Sequence, residues 1–160
     1  MSAKLATTKL AILVLVSVHF SCQDHTISPR SVSFEGTYIT TNEVLNPAPT
    51  LKQRTTGTSQ AKPLDINKFV ATATIHITPP PPFNVSGEAT FYADNGDVFT
   101  TTFTGTSTPN ADGTSAVTVT HTIEGGTGKF EKASGTFVGN ALANPKNPTG
   151  SITYKGMITY

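Results

Sequence analysis

The chain has 160 residues, 36% of them hydrophobic and 13% charged, with a net charge of +1, one cysteine and no tryptophan. That length makes a single domain, and the near-balance of eleven basic and ten acidic residues, without a basic run, gives no electrostatic basis for binding nucleic acid. One cysteine excludes an internal disulfide and any cysteine-rich zinc site, while 29 threonines, strand formers through their branched Cβ, point to the all-β class.

Lys4 and Lys9 are the only charges before residue 24, and they precede the apolar run from Leu10 to Val18. A positive start followed by a short apolar block is a secretory leader pattern. The run is about half of the roughly 20 residues a spanning helix needs, and His19 interrupts it. Ordinary leader cleavage after Ser21 would put His19 at a position that wants a small residue. Cys22 has two readings, a buried free thiol or an attachment point. Its place directly behind the apolar run, in Ser21-Cys22-Gln23-Asp24, favours attachment. This junction resembles a bacterial lipoprotein signal, which implies a leader over residues 1–21, acylation of Cys22 and a membrane partner reached through the lipid. Several acyl chains hold a protein on a membrane stably where one is marginal. Removing the leader leaves nine basic and ten acidic residues. Gln23 stands where an aspartate can signal inner-membrane retention in that family, so the resemblance implies an exported envelope protein at the outer membrane.

Residues 22–30 are polar and read as a tether. Alternation then begins. Ser31 to Thr41 puts Val32, Phe34 and Tyr38 on one face, and Asn67 to Thr78 puts Phe69, Ala71, Ala73, Ile75 and Ile77 on one face with Lys68, Thr72, Thr74 and His76 on the other. Pro79 to Pro82 cannot continue a central strand and form a stiff connector. Further strands read at Phe83 to Ala93, Val98 to Thr106, Thr114 to Ile123, Gly135 to Ala143 and Ser151 to Tyr160, which makes seven. Residues 42–66 fit poorly: either Leu45 to Gln53 is an eighth strand or the segment is a mobile flap. The best helical candidate is one turn at Lys129 to Ser134. Antiparallel strands without a covering helix leave open edges unless the sheet closes, so the pattern predicts a closed antiparallel β-barrel over residues 31–160, eight-stranded if the eighth is real. An immunoglobulin-like adhesion sandwich is the rival, disfavoured by the lack of a cysteine pair and tryptophan.

Register can be predicted at one hairpin. If Asp94-Asn95-Gly96 is a three-residue loop with Gly96 left-handed, Phe91 faces Phe99 and Gly87 faces Phe103, which gathers the aromatics on one face; a two-residue turn would divide them. The stretch from Gly125 to Gly135, Gly-Gly-Thr-Gly-Lys-Phe-Glu-Lys-Ala-Ser-Gly, has glycines for a tight connection, Phe130 to plug a barrel end and Gly135 to open the next strand. It resembles the hallmark of dirigent proteins and allene oxide cyclase-like barrels, and the resemblance extends over roughly residues 84–160. It implies an eight-stranded antiparallel barrel with an apolar central cavity. Ser134 stands where dirigent proteins typically carry an arginine, and the plant cyclase cysteine has no counterpart, so the resemblance brings a fold and no catalytic residue.

His121 shares parity with Val117, Val119 and Ile123 and points inward, where it needs a partner or a ligand. A bonded core histidine is the plainer reading. His121, Tyr38, Tyr154, Phe69 and Phe91 are the candidate cavity-lining residues, although core packing explains the tyrosines equally. Glu35 and Glu88 are the acids well inside strands; they are either outward charges or, with His121 and a tyrosine, a cyclase or isomerase site. No metal site is expected from the two strand histidines, His76 and His121, without neighbouring carboxylates, and no phosphate loop, Gly-x-Ser-x-Gly or His-Glu-x-x-His implies a cofactor or hydrolase. The sequence thus predicts an envelope barrel that binds a small apolar ligand or a surface partner without catalysis.

Overall fold

Eight strands carry the alternation: β1 (Ser31–Asn46), β2 (Thr50–Thr58), β3 (Ile66–His76), β4 (Phe83–Ala93), β5 (Val98–Pro109), β6 (Ser115–Gly126), β7 (Ser134–Ala143) and β8 (Thr149–Thr159). The computed structural model describes residues 29–160, so the leader, Cys22 and most of the tether lie outside the described residues. Every strand pairs antiparallel with the next, and β1 pairs with β8, closing the sheet into a barrel. Closure satisfies the edges that a threonine-rich sheet would otherwise expose. It also overturns the sandwich alternative, since one continuous sheet leaves no second sheet to pack against.

Residues 42–66, which fit the sequence pattern poorly, are mostly strand. β1 runs on to Asn46, β2 occupies Thr50–Thr58, and a 3-10 turn at Pro63–Asp65 leads into β3. The eighth strand is therefore shifted from Leu45 to Gln53. The inward positions of β2 are Leu51, Gln53, Thr55 and Gly57, so only its first inward side chain is large and apolar, and alternation gives no signal.

The β4–β5 hairpin has the predicted register. Phe91 faces Phe99 and Gly87 faces Phe103, with Gly96 at φ +89° in a three-residue loop closed by Ala93 N–H to Asp97 O at 2.9 Å. Gly125 and Gly128 also take positive φ, and Phe130, fully buried, plugs the end of the barrel against Phe99 and Tyr160 at ring distances of 5.2 and 5.3 Å. The turn there spans Gly128–Phe130, slightly ahead of the predicted one.

The core occupies one half of the barrel. Phe34, Phe91, Phe99 and Phe137 interlock there, with Phe91 and Phe99 stacked at 4.7 Å and Phe34 edge-on to Phe137 at 4.9 Å. Each fully buried ring of this kind contributes about 1.5–3 kcal/mol. Outside the plug, polar contacts join the connecting loops. Lys129 Nζ reaches Asp65 at 2.9 Å and the Leu64 carbonyl at 3.1 Å, and Asp94 accepts from Lys62 and Asn67. The Lys62 bond holds the Asp94 carboxyl below its ordinary range, and the Lys129 backbone N–H does the same for Asp97.

Space for several rings comes from glycines opposite them on neighbouring strands. A Cβ at Gly139 would lie 2.7 Å from Tyr154 Cε1, and the Tyr154 ring is hemmed in by aromatic neighbours. Gly139→Ala is therefore expected to destabilise the barrel by about 1–3 kcal/mol, as overpacking does elsewhere. Urea unfolding followed by near-ultraviolet circular dichroism measures it, and an unchanged midpoint would contradict this packing.

Candidate functional site

Above the aromatic half the inward side chains become small, and the barrel is hollow. The cavity has a volume of about 470 Å³ and opens at the end that carries the β1–β2, β3–β4, β5–β6 and β7–β8 connections. Its size is that of a small-molecule site. Ala71, Ala73 and Ile75 of β3, Val85 of β4, Val117 and Val119 of β6 and Ala141 of β7 make an aliphatic wall. Alanines at these inward positions leave the space that phenylalanines fill below.

The floor is aromatic. Phe69, Phe103, His121 and Tyr154 line the cavity; Phe69, His121 and Tyr154 also contact the packed rings beneath, and Phe103 lies against His121. His121 is 1% exposed, stacked on Phe137 at 4.7 Å with the planes 8° apart. Its Nδ1 lies 2.9 Å from the buried Thr101 Oγ1. The core histidine is thus bonded to a threonine. Burial pushes the imidazole down to about 3, so the ring is neutral at the cavity floor. The hydroxyl of Tyr38 donates to the Ile66 carbonyl at 3.2 Å. Burial raises the pKa values of both Tyr38 and Tyr154, with the neighbouring Tyr38 adding to the effect on Tyr154, and both stay protonated.

Of the five residues singled out as cavity-lining, His121, Tyr154 and Phe69 border the space, whereas Tyr38 and Phe91 lie in the packed layers below it. The physical reason is depth along the strand: alternation assigns a face, and both faces of the division between core and cavity share it. Glu35 and Glu88 point outward, Glu35 with Lys155 at 3.8 Å. They stand on the opposite side of the sheet from His121, so the cyclase arrangement of histidine, tyrosine and strand carboxylate is not formed. Among the described residues no three His, Cys, Asp or Glu side chains gather as metal ligands.

Sequence reasoning missed the polar wall. Asn42 of β1 and Gln53 and Thr55 of β2 line the cavity opposite the aliphatic side, joined by Gln53 Nε2 to Asn42 Oδ1 at 3.0 Å and Thr55 Oγ1 to Asn42 Oδ1 at 2.7 Å. Extending the parity of Tyr38 through Thr40 to Asn42 would have found the first of them. Lys146, on the exposed β7–β8 loop at the mouth, is the one charged residue among the lining.

No protein-family model matches the chain, and no curated protein matches it. Among solved structures, the barrel has similarity to a pterocarpan synthase dirigent protein at 12% identity and a TM-score of 0.32, over 96% of this chain and 99% of that one. Similarity at that level does not assign the chain to a family.

The His121 environment has a pH signature. Between pH 6.5 and about 3 the unfolded chain binds a proton on this ring that the folded barrel does not, so stability present above pH 6.5 is lost as the pH falls. The slope is about 1.4 kcal/mol per pH unit. His121→Phe should remove about 2 kcal/mol of the stability difference between pH 7 and pH 5. Urea unfolding of both proteins at the two pH values checks it, and parallel pH dependences would show that the ring is protonated in the folded state.

Proposed function

We propose that this chain is a lipid-anchored envelope protein whose dirigent-like barrel takes up a small, mainly apolar molecule and holds it without catalysis. The observation that carries the reading is the cavity: about 470 Å³ of space, open at one end, with one aliphatic wall, one uncharged polar wall and an aromatic floor on which the buried imidazole is neutral. A protein interior is otherwise packed to the density of an organic crystal, so a void of this size in a barrel with a filled lower half is a built feature. The glycine motif at Gly125 to Gly135, with Phe130 as the end plug, supports the dirigent-like part of the reading. The apolar run ending at Ser21-Cys22 supports export, acylation of Cys22 and the outer membrane.

The anchor and the cavity fit together geometrically. Arg30 pairs with Tyr160 at the plugged end, with backbone bonds of 2.9 and 3.0 Å, and the mouth is at the opposite end. A tether through residues 23–30 would enter at the plug and turn the mouth away from the bilayer. The cavity would then exchange its ligand with the aqueous compartment.

Native mass spectrometry of the 23–160 chain, purified gently from its own cells, tests the carrier reading. A stoichiometric small-molecule adduct is expected, together with its loss in Ala141→Phe, which fills the cavity from β7. An apo mass for the unaltered protein under every condition, and no uptake of apolar probes, would overturn it. Metabolic labelling with a clickable fatty acid tests the anchor separately: label is expected on the full chain and not on Cys22→Ser.

A further inference from the structure

The cavity is lopsided in its chemistry. One side is aliphatic, and the other carries Asn42, Gln53 and Thr55, partly buried on β1 and β2. The bonds among these three can be counted. Asn42 Oδ1 accepts from Gln53 Nε2 at 3.0 Å and from Thr55 Oγ1 at 2.7 Å, and a second Gln53 N–H reaches Thr55 Oγ1 at 3.2 Å. Both lone pairs of that oxygen and both hydrogens of that nitrogen are thereby used. Asn42 Nδ2 and Gln53 Oε1 remain, and neither has a side-chain partner among the described residues. Exchanging O and N in both amides leaves the same result, one donor group and one acceptor group on one wall.

Charge is the second observation. The lining has no carboxylate, and its single cation, Lys146, sits on the exposed loop at the mouth. An ionised group carried into the body of the cavity would lose its hydration with no opposite charge to meet it, at a cost that selects against charged ligands.

We infer that the cavity is built for an uncharged molecule that presents a hydrogen-bond donor and acceptor side by side, as an amide or lactam edge does, to Asn42 and Gln53 while its apolar body rests on the aliphatic wall. The inference rests on the carrier reading and names the chemical class of what is carried. A site that pairs both groups of an amide discriminates strongly against an analogue lacking one, because the wall's own donor or acceptor is then left dry and unpaired.

Displacement of the neutral fluorophore N-phenyl-1-naphthylamine from the barrel at pH 7 tests it with a matched series: 2-naphthamide, N,N-dimethyl-2-naphthamide and 2-naphthoate. The primary amide is expected to displace the fluorophore at a concentration about tenfold lower than either of the others. In the Asn42→Leu/Gln53→Leu double variant the fluorophore should still bind and the preference should vanish. Equal displacement by all three would overturn the inference and leave the carrier reading standing. Stronger displacement by the naphthoate would also overturn it and would place an anionic head at Lys146. No fluorophore binding at all would remove both. The ligand series on the unaltered protein decides the matter even if the double variant fails to fold.

Discussion

Large rings laid over glycines on the neighbouring strand set the interior of this barrel. Phe69 lies over Gly57, Phe103 over Gly87 and Tyr154 over Gly139, each pair in register across two adjacent strands. A side chain at the glycine would push the ring toward the axis, where other rings already stand. With the glycine bare, the ring lies along the wall and covers backbone that would otherwise be exposed within the barrel. This arrangement puts the Phe69, Phe103 and Tyr154 rings at one level, between the packed half and the hollow one.

The floor decides what the rest of the interior can do. Below it, phenylalanines from β1, β4, β5 and β7 pack together with Phe130 of the plug, edge to face or stacked, and leave no room. Above it, alanine and valine on β3, β6 and β7 are too short to reach the axis, so the cavity follows from side-chain length along each strand. His121 sits at this boundary. It is packed on three sides by rings and bonded to Thr101, and it still borders the open space. The imidazole brings a neutral polar ring to the bottom of the cavity, and a phenylalanine there would leave the buried Thr101 hydroxyl without this bond.

Legibility in the sequence followed the apolar signal. Strands with a greasy inner face, such as Phe69 to Ile75 on β3 and Val117 to Ile123 on β6, were readable by alternation, and one hairpin could be registered to the residue because a slip would have divided its aromatics. The strand with a polar inner face, β2, was not readable, since lysine, glutamine, arginine and threonine alternate without contrast. The property that hid β2 is the one that gives the cavity its polar wall. Depth was also illegible: Tyr38 and Tyr154 have the same parity, yet only Tyr154 reaches the cavity, because parity fixes the face of the sheet and leaves position along the axis to strand stagger.

Pairing of β1 with β8 joins Ser31 through Thr41 to Thr149 through Thr159, nearly the two ends of the described chain. Such a contact has the largest sequence separation this domain can offer, and the entropy of closing so long a loop is spent before the contact repays it. Neither half of the sheet can bury its edge until the final strand is present. A chain still being made therefore has no closed barrel to form until β8, eleven residues long, has left the ribosome.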